Sequence, residues 1–187
     1  MGIVWLQMSS HFSPHHLDRL ASFMDSLPND FEYGMEVRNL GFFDKSDNEK
    51  RFNQLLMQHK VNRVSFDTRA LFAHPKNDPI TQEAFNAKPR MPVHVIATGN
   101  SPVVRFITPL DVELGYSYLT PWVKKTAQWI NEGKTPYLFF HTPDNRTAPQ
   151  LAQYFNEQLK DLCPQVPNIQ LLPQQWSQGI PQTELFK

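Results

Sequence analysis

The sequence has little cysteine, little glycine and no excess charge of either sign, and each shortage excludes a class of protein. The single cysteine, Cys163, cannot form an intrachain disulfide and leaves no cysteine-based metal site. The 18 lysines and arginines balance the 18 aspartates and glutamates, so no overall charge directs the chain to nucleic acid or to an anionic membrane. A local basic patch is compatible with this balance.

Long apolar runs are also missing. The sequence has no apolar run of about 18 residues and no signal-peptide pattern, which predicts a cytoplasmic protein with no membrane-spanning segment. Only seven glycines are present, and they form neither a P-loop nor a dinucleotide-binding motif. We therefore expect no cofactor.

Short apolar runs alternate with helical patterns over residues 1–163, and residues 164–187 form a tail rich in proline and glutamine. The alternation predicts an α/β fold with five parallel strands in sequence order. We expect one helical turn around residues 80–86. The strand-like runs are "GIVWLQ", "FEYGMEV", "VNRVSFD", "VHVIAT", "VVRFIT" and "TPYLFFHT", and the helical patterns cover 13–28, 46–60, 118–131 and 145–162.

Polar side chains fall at the ends of the predicted strands. In β/α barrels and in open parallel sheets, the C-terminal strand ends border the ligand site. Two interpretations stay open: the Glu36–Arg38 and Asp67–Arg69 pairs are structural ion pairs, or the whole rim binds a ligand, which we favour. The residues in question are Gln7, Glu36, Arg38, Asp67, Arg69, Arg105 and His141.

The residue types in this set suit an anionic ligand. Arginine forms paired hydrogen bonds with phosphate and carboxylate groups, so we expect a small anion, with a nucleic-acid phosphate as one form of it. Glu36 and Asp67 are the candidate catalytic acid and base, as in glycoside hydrolysis. A metal held by His141, Glu36 and Asp67 is an alternative that we do not favour, because the histidine-rich DNA-repair barrels of this kind have many more ligands.

Five segments in order, "GIVWLQMSSHFSP", "FEYGMEVRN", "KVNRVSFDTR", "PVHVIATGNSPVVRFI" and "TPYLFFHTPDNRTAPQLA", resemble the YecE-like proteins known as domain of unknown function 72. The resemblance covers nearly the whole chain and implies a TIM-type β/α barrel. Those proteins have about three further units before the strand that matches "IVWLQ", so the chain corresponds to the last five of the eight units of a barrel. The resemblance implies no particular biochemical activity.

The resemblance also concerns single residues. It maps the family's Glu-x-Arg strand end onto Glu36 and Arg38, and its Arg-Phe strand onto Arg105 and Phe106. The family's last-strand motif, Phe-Asn-Asn, corresponds here to Phe-His-Thr at 140–142, so the asparagine pair is replaced. We include Asn145, which follows in the same segment, among the candidate ligand-binding residues.

Five strands do not close a barrel that needs eight, and they leave two open edges. We therefore expect copies of the chain to associate through these edges. The alternative to a ligand-binding or enzymatic barrel is a non-catalytic interaction protein, a degraded barrel in which the missing units abolish the site.

The end of the tail contains a short pattern typical of partner binding. Gln182, Leu185 and Phe186 have the Gln-x-x-Leu-Phe spacing of peptides that dock on the bacterial DNA sliding clamp. Thr183 stands where that motif often has leucine. The alternative is that Leu185 and Phe186 pack on the core of their own chain.

We expect a peptide of residues 178–187 to bind the purified sliding clamp with about micromolar affinity. The reason is that burying Leu185 and Phe186 contributes roughly 1.5–3 kcal/mol each before the cost of ordering the peptide. The same peptide with Phe186→Ala is the control and should not bind. An unaltered peptide that fails to bind at about 100 μM would contradict the hypothesis.

Overall fold

The computed structural model of the chain describes residues 2–75 and 77–169. Within them, five strands alternate with six helices, and short 3-10 turns precede three of the elements. The strands are β1 (Val4–Gln7), β2 (Tyr33–Glu36), β3 (Asn62–Asp67), β4 (Val103–Ile107) and β5 (Tyr137–His141). The helices are α1 (Leu17–Asp25), α2 (Asp47–Gln58), α3 (Arg69–Ala73), α4 (Pro79–Ala87), α5 (Tyr116–Asn131) and α6 (Ala148–Leu162).

All strand pairings in the described sheet are parallel, and the strands are neighbours in sequence order, as predicted. The sheet is curled into a half-barrel. The curl is visible in the contact between Trp5 of β1 and Phe139 of β5, whose ring centroids are 4.8 Å apart although the two strands are the opposite edges of the sheet. Side chains from distant strands therefore meet on the concave face.

The convex face of the half-barrel packs on the helices. Met35 of β2 and Phe106 of β4 are fully buried there, in two separate apolar clusters. Helix α2 begins at Ser46, whose hydroxyl accepts a hydrogen bond from the Asn48 amide at 3.2 Å. Its Phe52 and Leu56, four residues apart, are completely buried, and each contributes roughly 1.5–3 kcal/mol by leaving water.

The connection between β3 and β4 has more helix than expected, because it contains both α3 and α4. Helix α4 begins after Asp78, whose carboxylate accepts a hydrogen bond from the Thr81 amide at 2.7 Å. Ala84 and Met91 then pack against Phe66 and Ile107. The connection thus covers the C-terminal part of the concave face.

The prediction of a strand over residues 93–98 is wrong. Strand β3 pairs with β2 on one side and with β4 on the other, so it has no free edge for a further strand. The segment is instead anchored by Thr98, whose hydroxyl donates to the Val61 carbonyl and accepts from the Arg63 amide, both at 2.7 Å.

We expect the isolated 187-residue chain to self-associate, because β1 and β5 each pair with one strand only in the described sheet and their residues are half-exposed. Light scattering at increasing concentration should give a mass above that of the monomer. Tyr137→Lys, which places a charge on β5, should shift the distribution towards the monomer. A stable monomer at every concentration would contradict this expectation.

Candidate anion-binding site

Strand β2 ends in a carboxylate that is completely removed from solvent. Glu36 lies on the concave face beside Gln7, its register partner on β1. Its Oε1 accepts a hydrogen bond from Arg38 Nε at 3.0 Å, and Arg105 Nη1 of β4 lies 3.2 Å from its Oε2. The side-chain oxygen of Gln7 accepts from Arg38 Nη2 at 2.9 Å and from Arg105 Nη1 at 3.4 Å. We call these four residues the Glu36 cluster.

Aromatic rings support the two guanidinium groups. The Arg105 guanidinium carbon lies 5.0 Å from the centre of the Phe66 ring and 5.7 Å from that of Trp5, and the Arg38 guanidinium lies 6.0 Å from Phe66. The buried Nε of Arg105 has no hydrogen-bond partner among the described residues. The cluster therefore contains fixed cationic groups with unused donor capacity.

A third cation, Lys88, approaches the Glu36 cluster from the connection that covers the concave face. Burial, followed by the charges of Arg105 and Arg38, lowers the pKa of Lys88, while Glu36 acts in the opposite direction. Sequence reasoning missed this residue because residues 71–92 show little periodicity. Pro89, which directly follows Lys88, indicated only that the region contains a turn.

His141 ends β5 on the same concave face, as the pairing of Ile107 with His141 requires. Its Nδ1 lies 3.3 Å from the side-chain oxygen of Asn145, which places a proton on Nδ1. Asn145 has a left-handed backbone with φ of 59°, a conformation that asparagine tolerates. Burial, then Arg105, lowers the pKa of His141, which favours the neutral ring, and in that tautomer Nε2 is the acceptor.

Asp67 and Arg69 lie on the other face of the sheet. Gly34 pairs with Asn62, and because side chains alternate along a strand, Asp67 points away from the face that Glu36 occupies. Arg69 binds the fully buried Asp67 carboxylate through Nε at 3.0 Å and Nη2 at 2.8 Å, and Trp122 Nε1 donates to it at 2.7 Å. The structure thus brings Glu36 and Asp67 to the same end of the sheet without bringing them together.

Of the predicted site residues, the structure joins Gln7, Glu36, Arg38 and Arg105, with the His141–Asn145 pair on the same face. Gln182, Leu185 and Phe186 lie outside the described residues. In residues 2–75 and 77–169, no group of three or more histidine, cysteine, aspartate or glutamate side chains could hold a metal ion. Nor does this part of the chain contain a helix long and apolar enough to cross a membrane.

The fold and the Glu36 cluster together define the class of this protein. It is a partial β/α barrel with two arginine side chains, those of Arg38 and Arg105, near the C-terminal end of its sheet. The chain belongs to the family described as "Protein of unknown function DUF72", whose model matches residues 1–175. Two curated relatives, the UPF0759 proteins YecE of Escherichia coli strain K12 and of E. coli O157:H7, are 39% and 38% identical over 177 residues. The alignments cover 95% of this chain and 65% of each relative.

Two solved structures have the same fold. A DUF72 family protein from Enterococcus faecalis aligns with a TM-score of 0.54 at 16% identity, covering 88% of this chain and 61% of the other. One from Thermotoga maritima aligns with a TM-score of 0.53 at 21% identity, covering 85% and 58%. These alignments confirm the fold prediction, an incomplete TIM-type barrel.

We expect Asp67→Ala to lower the free energy of unfolding by about 2–3 kcal/mol, because the buried Trp122 N–H loses its acceptor. Arg69 is half-exposed and regains water, so its loss contributes less. The matched control is Asp18→Ala, which removes an exposed aspartate–arginine pair and should change stability by less than about 0.5 kcal/mol. Equal effects in urea unfolding would contradict the structural role of Asp67.

Proposed function

We propose that the concave face of the half-barrel binds a small ligand that bears a phosphate or a carboxylate group. The observation that supports this most is the charge balance around Glu36. The positive charges of Arg38 and Arg105 act on Lys88 and lower its pKa, and Glu36, which binds both arginines, is the acidic group that acts on Lys88 in the opposite direction. An anion at this place would compensate the remaining positive charge.

The arrangement of Glu36 favours a role in positioning. A carboxylate bound by two guanidinium groups restrains the orientation of both, which reduces the entropy lost when a ligand binds. Its oxygens are already used by Arg38 and Arg105. In this proposal Glu36 holds the arginines, and the arginines bind the ligand.

Proton transfer, if the ligand is also a substrate, falls to His141. Its Nδ1 is held by Asn145, and its Nε2 is an acceptor while the ring is neutral. This geometry resembles the general arrangement of a base oriented by a neighbouring group. Proton transfer by His141 is part of this proposal. A nucleic-acid phosphate as the ligand is also part of it.

Docking on the sliding clamp through Gln182, Leu185 and Phe186 is a second proposed function. The spacing of these three residues supports it. It is independent of the concave face, because a tail peptide carries the whole motif.

We expect Arg105→Gln and Arg38→Ala each to weaken the binding of inorganic phosphate by roughly tenfold, which corresponds to about 1.4 kcal/mol, a typical value for one charge-assisted hydrogen bond. Isothermal titration calorimetry gives the affinity, and thermal unfolding gives the stability of the same samples. Both variants remove a partner of the buried Glu36 carboxylate, so the melting temperature should fall as well, and it should fall least for Arg38, which is the more exposed of the two arginines.

Arg19→Gln is the matched control, because Arg19 is exposed on the outer surface of α1. It should leave both affinity and melting temperature unchanged. Loss of melting temperature in the Arg105 and Arg38 variants together with unchanged phosphate binding would contradict the proposal and favour a purely structural network.

A further inference from the structure

A separate cavity lies beside α3, and none of the four residues of the Glu36 cluster lines it. Its volume is about 240 Å³. We call it the Arg69–Arg90 pocket. Its walls include Thr68, Arg69, Phe72, Arg90, Met91 and Tyr118.

One wall of the Arg69–Arg90 pocket is a guanidinium group in a fixed position. Two nitrogens of the Arg69 guanidinium group, together with its backbone amide, donate to Asp67, which Trp122 holds from the core. The remaining nitrogen, Nη1, has no hydrogen-bond partner in the described part of the chain, and the side chain is 46% exposed. A donor held in this way loses little entropy when it binds an anion.

The second guanidinium group belongs to Arg90. It lies over the Phe72 ring at 5.9 Å, and Phe72 in turn packs edge-on against Phe85 with ring centroids 4.4 Å apart. Arg90 is exposed and forms no ion pair within residues 2–75 and 77–169. The pocket is therefore lined by two arginines and by no carboxylate, because Asp67, which binds Arg69 and Trp122, is not among its walls.

The rest of the pocket is partly apolar. Phe72 and Met91 supply apolar walls, and Tyr118, whose position is close enough to act electrostatically on Arg69, supplies a hydroxyl donor. A small cavity with convergent donors and an apolar wall suits a compact ligand with one charged and one apolar end. Its volume is below the range of about 300–1,000 Å³ of sites for drug-sized molecules.

We propose that the Arg69–Arg90 pocket binds a small organic anion, namely a carboxylate or phosphate monoester on a single aromatic or short aliphatic body. The charged end lies between Arg69 Nη1 and Arg90, and the body packs on Phe72 and Met91. None of the residues that line the site belongs to the Glu36 cluster, and the site does not depend on the function proposed for that cluster.

The test is a titration of the whole 187-residue protein, followed by ¹H–¹⁵N NMR, with benzoate, phenyl phosphate and inorganic phosphate as probes. Phenyl phosphate should shift the amide signals of residues 68–73, 90–91 and 118. It should bind there about tenfold more tightly than inorganic phosphate, because the ring is buried against Phe72 and Met91. Comparing the affinities of benzoate and phenyl phosphate shows whether the pocket prefers a carboxylate or a phosphate group.

Arg90→Gln is the informative variant, because Arg90 is exposed and does not touch the buried Asp67. It should weaken phenyl phosphate binding about tenfold. Arg19→Gln should have no effect, and Arg105→Gln should leave these particular shifts in place even where it abolishes binding on the concave face. Three results would overturn the proposal: shifts confined to the concave face, shifts centred on the neighbouring cavity that Val93, Val95 and Lys125 line, or an Arg90→Gln affinity within about twofold of the unaltered protein.

Discussion

The burial of one carboxylate, that of Glu36, is the constraint on which the concave face depends. A carboxylate without solvent must be compensated by charge and by hydrogen bonds, and a partner lost from such a site costs several kcal/mol. Here the compensation comes from three different strands: Gln7 at the end of β1, Arg38 just after β2 and Arg105 within β4. These groups meet only because the sheet is curled, so the local charge network and the overall shape of the half-barrel depend on each other.

The same sequence pattern, an acidic residue followed two positions later by arginine, has two different consequences in this fold. Glu36 faces the concave side, where further cations accumulate and aromatic rings support them. Asp67 faces the helices, where Arg69 and the Trp122 indole satisfy it completely. The strand places each acidic residue on one face of the sheet. That face decides whether the residue joins the cations of the concave face or forms an ion pair on the side of the helices. The half-exposed Arg69 then becomes available on the outside of the sheet.

Much of the fold follows from the sequence, because short apolar runs between helical stripes predict parallel strands, and five of them are present in the predicted order. The Glu36 cluster could also be predicted, since Gln7, Glu36 and Arg38 sit at strand ends and Arg105 is a polar residue within an apolar strand. Two features could not. The face of Asp67 depends on the register between β2 and β3, which a single strand does not reveal. Lys88 reaches the concave face through the packing of α4 and Met91 on Phe66, a tertiary contact without a local pattern.

The most direct test of the anion site is the pKa of His141, measured by NMR with and without sulfate at constant ionic strength. Burial and the positive charge of Arg105 lower this pKa, so a bound anion, which offsets that charge, must raise it. Proton uptake and sulfate binding are then linked, and the affinity for sulfate rises as the pH falls through the titration of the ring. We expect an upward shift of the His141 pKa with sulfate, and we expect this shift to disappear in Arg105→Gln. A His141 pKa that is the same with sulfate and with chloride would contradict it.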